Sequence, residues 1–277
     1  MIEIELISSI KHPAIVQARA DLAKIVGRLH KTYPVEDFDM LEQALDAGIQ
    51  LKQAFFRENA QNPKLNDFVS RLRKQNIPCY RVTPGVFTRI MPLGYNTSIE
   101  ALAVAEVQKL HIDNLVSRCD KHAIVLVGEK IQDPRNVGVL IRNADAWGVK
   151  FVIFGNSADA YSRASVRSTT GSIFRVPIVQ SEELTQDIAK LKNLGFRIIG
   201  SSATGKTLIW QSHLTPPCAI VVGNESTGLS EDLRRQCDSI IRIPMYGKAH
   251  SLNVTVAAGI LLYEATREPK VTHQSSN

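Results

Sequence analysis

Residues 219–229 read Ala219-Ile220-Val221-Val222-Gly223-Asn224-Glu225-Ser226-Thr227-Gly228-Leu229. The first four are apolar and mostly β-branched, the composition of a short strand covered on both faces of a parallel sheet. The chain then turns polar, with Gly223 and Gly228 bracketing Asn224, Glu225, Ser226 and Thr227. Glycine admits unusual φ and close backbone approach. The segment therefore reads as a strand ending in a loop shaped around something. In an open α/β sheet the carboxyl ends of the strands are where ligands bind.

Working outward, the same alternation fills the second half of the chain. Strands are expected at 123–127, 151–154, 197–200, 219–222 and 240–243, with helices at 137–147, 182–194, 230–236 and 252–266. Buried strands alternating with helices give an α/β fold built on a parallel sheet. The last helix is apolar on nearly every face, so it belongs in the core or a subunit interface. The first hundred residues read as a smaller α/β module. It has helices at 14–29, 39–47 (ending at Gly48) and 63–75 (stopped by Asn76). Extended segments lie at 49–56, 78–82 and 99–107, with a turn at 93–97. The polar stretch 108–121 has no clear period and reads as a linker. The expected organisation is a module over 1–107, a linker over 108–121, a larger domain over 122–267 and a disordered tail over 268–277.

Composition narrows the class. The 277 residues are 44% hydrophobic and 22% charged, as in a globular protein with a sizeable core. No apolar run reaches the roughly 18 residues of a membrane span. The N-terminus carries Glu3 and Glu5 where a secretory signal would be basic, so no membrane role and a cytoplasmic location are expected. Cys79, Cys119, Cys218 and Cys237 are scattered, and the seven histidines show no ligand spacing, so no metal site is expected. The net charge of +6 sits mostly in the second part: residues 1–106 carry 13 Lys+Arg against 12 Asp+Glu, and 107–277 carry 20 against 15. Arg163, Arg167 and Arg175 fall in an acid-free stretch, 162–175. Such a basic excess suits a polyanion such as RNA.

Two further clusters accompany the opening one. Asp133-Pro134-Arg135-Asn136-Val137-Gly138 opens a helix that carries Arg142, and Ile243-Pro244-Met245 precedes Ser251-Leu252-Asn253-Val254-Thr255 at the start of the apolar helix. In this order and spacing the three clusters resemble the SpoU family of RNA 2'-O-ribose methyltransferases, of the SPOUT superfamily. The resemblance covers about residues 122–267, and Thr255 stands where serine is common. The amino-terminal part is similar to the ribosomal-protein-like RNA-binding domain of many members. Arg73-Lys74-Gln75-Asn76-Ile77-Pro78-Cys79-Tyr80-Arg81-Val82 resembles the version in thiostrepton-resistance-type rRNA methyltransferases.

The resemblance implies a trefoil-knotted parallel-sheet domain, a rare exception to unknotted topology, and a homodimer. It implies S-adenosyl-L-methionine as cofactor, bound by Gly223, Gly228, Ile243, Met245 and Leu252, with Ser201, Ser202 and Gly205 near its methionyl end. Arg142 would take the central catalytic place. A guanidinium stays protonated in proteins, so its expected role is to stabilise a developing 2'-alkoxide or hold the adjacent phosphate. Asn136, Glu225, Ser251 and Asn253 would position the ribose and the loops, and Arg167, Arg135 and Arg163 would meet RNA phosphates. The amino-terminal module favours rRNA of the 23S type over tRNA, the alternative within the family.

Two readings from other classes compete. Residues 200–207, Gly200-Ser201-Ser202-Ala203-Thr204-Gly205-Lys206-Thr207, match the phosphate-loop pattern of nucleoside triphosphatases. The helix that should follow is confined to 208–214 by Pro216 and Pro217, and the next strand ends without a magnesium-binding aspartate. A non-catalytic RNA-binding protein would need none of the three clusters.

Overall fold

The computed structural model describes residues 4–23, 25–26, 29–91, 99–212 and 214–267. The turn read at 93–97 and the tail 268–277 lie outside the described residues. Two compact units form, and they are not two consecutive halves. One comprises Met1–Leu110, Asp133–Arg142 and Ala158–Pro177, the other His111–Gln132, Asn143–Ser157 and Ile178–Asn277.

In the first unit the elements run β1 (Leu6–Ile7), α1 (Pro13–Ala23), β2 (Ile25–Val26), β3 (Leu29–His30), β4 (Thr32–Glu36), α2 (Phe38–Asp46), β5 (Leu51–Arg57), α3 (Leu65–Lys74), β6 (Cys79–Val82), α4 (Pro84–Phe87) and β7 (Ala101–Glu106). The main sheet has the order β1-β6-β5-β7-β4, and β2 pairs with β3 apart from it. Side chains alternate across β5: Phe55 packs with Ile15, Ala18 and Leu22 of α1, and Phe56 stacks on Phe38 of α2 at 5.8 Å. The helix read over 14–29 stops at Ala23, and the strand β4 that follows shortly after was not foreseen. Pro34 lies within β4, which the sheet tolerates because β4 is an edge strand.

The remaining elements are α5 (Ile112–Val116), β8 (Ile124–Glu129), α6 (Pro134–Ala146), β9 (Phe151–Gly155), α7 (Arg163–Thr169), β10 (Ile178–Ser181), α8 (Leu184–Asn193), β11 (Arg197–Ser201), β12 (Thr207–Leu208), β13 (Cys218–Val222), α9 (Glu231–Gln236), β14 (Ser239–Arg242) and α10 (Val254–Thr266). The expected linker thus contains a short helix, α5. Seven strands form the second unit's sheet in the order β10-β9-β8-β13-β11-β14-β12, and every pairing is parallel. This is the parallel-sheet α/β fold expected from the buried strand runs. The chain steps outward from β8 to β9 and β10. It then builds the other side, inserting β13 between β8 and β11, and β14 between β11 and β12. The strand-end loops of β11, β13 and β14, three adjacent strands, are thereby brought together.

α10 buries Val254, Ala258, Leu261, Leu262 and Ala265, one stripe at helical spacing. Its opposite stripe keeps Val256 and Tyr263 each 51% exposed, with Ile260 alongside. Nearby on the helix surface, Trp147 meets the Tyr263 ring edge-on at 5.6 Å.

Candidate active site

The loop after β13 is organised by Asn224. Its Oδ1 accepts from the amides of Ser226 at 2.9 Å and Thr227 at 3.0 Å, folding the turn onto its own side chain. Its backbone exchanges two hydrogen bonds with Gly228, which has φ of +70°. Its Nδ2 donates to the Lys130 carbonyl at 2.9 Å. The far end of the loop is pinned by Glu129, a buried carboxylate at the end of β8. It accepts from the Ser230 amide at 2.8 Å and the Ser230 hydroxyl at 2.5 Å. Ser230 in turn caps α9 through the Leu233 amide.

The other two walls are fixed in similar ways. After β11, the Ser202 amide donates to Ile241 of β14, and Arg234 of α9 donates from Nη2 to Ser202 Oγ at 2.7 Å. After β14, Asn253 caps α10, accepting from the Thr255 amide at 2.8 Å and the Thr255 hydroxyl at 2.6 Å. Thr255 thus supplies the hydroxyl that a serine would. Asn143 of α6 donates to the Thr255 carbonyl at 2.7 Å.

These walls enclose a cleft of about 320 Å³, within the size range of small-molecule sites. Its lining divides by chemistry: Ile243, Met245, Leu252, Val254 and Ala257 are apolar, whereas Ser201, Ser202, Thr204 and Asn224 are polar. Glu225 and Arg234 are its charged residues. A ligand with an aromatic body and a zwitterionic tail fits such a lining, and S-adenosylmethionine has both. At Gly223 the loop after β13 packs closely on its own backbone. A Cβ there would stand 2.5 Å from the Gly228 carbonyl oxygen and the Leu229 amide nitrogen. Beside the cleft, burial pushes the Cys237 thiol up to about 11, so it is no thiolate nucleophile at neutral pH.

Of the cofactor residues anticipated from the sequence, Ser201, Ser202, Gly223, Gly228, Ile243, Met245 and Leu252 line the cleft, together with Glu225 and Ser251. Gly205 does not line it; it is packed against the Ile241 backbone, where a Cβ would sit 2.8 Å away. Asn253 is not a lining residue either and serves as the α10 cap. Asn136 and Arg142 are on α6, in the segment that belongs to the first unit. Arg142 is exposed, and among the described residues its guanidinium has no ion-pair partner. Arg163 is committed elsewhere: its Nε reaches the buried Glu36 carboxylate at 2.5 Å, and Arg167 stands 3.9 Å from the same group. Arg135 pairs with Asp133 at 2.7 Å on the surface.

Glu129, Asn224, Asn143 and Arg234 were not singled out beforehand. Readable signals existed for Glu129, a charge closing an apolar strand, and for Asn224, which lies inside the cluster bracketed by Gly223 and Gly228. The phosphate-loop reading fails on geometry. After Gly205 the chain forms the two-residue strand β12 and a single 3₁₀ turn, Ile209–Gln211. The expected 208–214 helix is absent among the described residues, and with it the helix N-terminus on which phosphates rest.

Loops on adjacent parallel strands, closing around a cleft for a zwitterionic small molecule, define the class: an α/β enzyme that binds its ligand at the strand ends. The model of the SpoU rRNA methylase family matches residues 123–263. An uncharacterized tRNA/rRNA methyltransferase from Archaeoglobus fulgidus is 30% identical over 84% of this chain and 97% of its own length. The 23S rRNA (guanosine-2'-O-)-methyltransferase RlmB of Blochmanniella floridana is 32% identical, over 76% of this chain and 85% of its own. Among solved structures, the SpoU methyltransferase AviRb of Streptomyces viridochromogenes, in complex with AdoMet, superposes with a TM-score of 0.78 at 25% identity, covering 92% of this chain and 97% of its own. The chain belongs to the SpoU rRNA methylase family and is an RNA methyltransferase.

Proposed function

We propose that the protein transfers the methyl group of S-adenosylmethionine to a ribose 2'-hydroxyl of 23S-type rRNA. One observation carries this reading: three sequence-distant segments, after β11, β13 and β14, converge on one cleft of the right size and chemistry. Kinship with an RlmB enzyme favours rRNA over tRNA, and the AdoMet-bound relative supports the cofactor.

When bound, S-adenosylmethionine supplies an electrophilic methyl on a sulfonium. The apolar wall of Ile243, Met245 and Leu252 holds the adenine, and the backbone at Gly223 and Gly228 allows close approach. As the ribose oxygen attacks the methyl carbon, the methyl–sulfur bond would break to leave S-adenosylhomocysteine and the hydroxyl proton would pass to solvent water, so negative charge develops on the oxygen. Arg142, exposed and cationic, stabilises that charge or fixes the neighbouring phosphate. It is not the base, because a guanidinium keeps its protons. Glu225, Ser251 and Asn136 orient the ribose, and Asn253 holds the wall that carries Leu252. Arg167 and Arg135 meet phosphates, whereas Arg163 secures Glu36 and the segment around α7. Residues 1–107 act as the RNA-binding domain. The 122–267 segment is knotted through its last strands, and a second copy covers the apolar stripe of α10. Among the described residues no helix is long and apolar enough to cross a membrane. The rRNA substrate is the reason we place the reaction in the cytoplasm.

The substrate claim is tested by offering labelled S-adenosylmethionine with purified, unmodified 23S rRNA, 16S rRNA and tRNA in parallel. Label in 23S rRNA alone is expected. Label confined to tRNA would overturn the substrate while keeping the chemistry.

A further inference from the structure

We infer that Arg234 recognises the α-carboxylate of the cofactor's amino-acid end, an inference that rests on the S-adenosylmethionine reading of the cleft. Arg234 lies on α9, outside all three sequence clusters, and its side chain lines the cleft. It is half-buried, and a partly desolvated cation is costly unless an anion accompanies it. None does in the protein: among the described residues Arg234 forms no ion pair with any carboxylate. The acids nearest along the chain, Glu231 and Asp232, are exposed and make no ion pair with it, and Asp238 is taken by Lys192 at 2.8 Å. Of its five donors, one reaches Ser202 Oγ, at 2.7 Å. That bond holds the guanidinium against the cleft wall and leaves other N–H groups for a ligand.

The neighbourhood is built for the same kind of group. Ser202 Oγ also receives the Thr204 amide at 3.3 Å and lies 3.1 Å from the Thr204 hydroxyl. Two hydroxyls and a fixed cation therefore share one corner of the cleft. The remaining charged lining residue, Glu225, has the sign that suits an ammonium. A planar carboxylate matches the guanidinium fork in a bidentate pair, and the cofactor carries one carboxylate, on its amino-acid end. The adenine and ribose have no anionic group for Arg234 to meet.

The test uses two ligands that share adenine, ribose and thioether. S-adenosylhomocysteine carries the amino-acid end and 5'-methylthioadenosine lacks it. Isothermal titration of the full chain should show Arg234→Met binding S-adenosylhomocysteine about 10- to 100-fold more weakly, the cost of losing a charge-assisted hydrogen bond. Its affinity for methylthioadenosine should be unchanged, which also shows that the cleft is folded. Arg234→Gln, polar but neutral, should behave in the same way. Equal loss for both ligands, or loss for neither, in the two variants overturns the assignment. A wild-type protein that binds neither ligand would instead overturn the cofactor reading beneath it.

Discussion

Replacing Gly223 by alanine introduces one methyl group where the loop after β13 packs closely on its own backbone. That carbon would meet the backbone of Gly228 and Leu229 at about 2.5 Å, whereas non-bonded carbon atoms settle at about 3.5–4.0 Å. Backbone cannot rotate away as a side chain can, so the turn must move by roughly 1 Å. Such a shift breaks the paired hydrogen bonds between Asn224 and Gly228, now 3.1 and 2.9 Å long. Two hydrogen bonds at about 0.5–1.5 kcal/mol each, with about 1–3 kcal/mol of overpacking, give a loss of roughly 2–6 kcal/mol. A domain stable by about 5–15 kcal/mol survives most of that range, but its cofactor wall is displaced. Urea denaturation should show a lower midpoint with an unchanged slope, and titration with S-adenosylhomocysteine should show at least about tenfold weaker binding, or 1.4 kcal/mol. A Gly223→Ala protein with wild-type midpoint and affinity would refute the claim that the 223–229 turn is a rigid wall of the cofactor site.

Three other outcomes follow from the same structure. Ile260→Glu places a charge on the exposed apolar stripe of α10 and should convert a dimer to a monomer in sedimentation analysis; a monomeric wild type would remove the interface. Burial works against ionisation of Asp238, but Lys192 and the Ile198 amide outweigh it, so its carboxyl titrates below the ordinary aspartate range. A depressed folded value means that this contribution is complete above about pH 4, the unfolded value, and is lost as pH falls through the folded one. Asp238→Asn should therefore be less stable than wild type at pH 7, with the two converging at low pH; a constant gap would count against the linkage. Finally, magnesium-ATP should neither bind nor displace S-adenosylhomocysteine, since among the described residues no α-helix begins just behind Gly205; displacement would revive the phosphate-loop reading.

The parallel sheet was legible because its strands hold unbroken apolar runs, 123–127 and 218–222 above all. The less hydrophobic elements were not. β10 is four residues beginning just after Pro177, and α7 reads Arg-Ala-Ser-Val-Arg-Ser-Thr, a poor helix by propensity that Ser162 caps. β4 was hidden by Pro34, whose tolerance depends on an edge position that only pairing reveals. At the site, loop residues with distinctive chemistry, such as Gly223, Gly228 and Asn224's neighbours, could be found from their clustering at strand ends. Arg234 and Asn143 could not, because each acts on a loop distant in sequence. Arg163 shows the converse: a basic residue in an acid-free stretch looks available for phosphate until Glu36, 127 residues away along the chain, is found at its guanidinium.

The central claim is that this cleft serves methyl transfer to a ribose oxygen, with Arg142 meeting the developing charge. The most direct measurement incubates unmodified rRNA with methyl-labelled S-adenosylmethionine, digests it completely and identifies the labelled nucleoside for wild type and Arg142→Ala. The account predicts a single 2'-O-methylnucleoside from the wild type. It predicts a rate about 10²–10³-fold lower from Arg142→Ala, with S-adenosylhomocysteine affinity retained. Label on a base rather than the ribose, or an undiminished rate from Arg142→Ala, would contradict it.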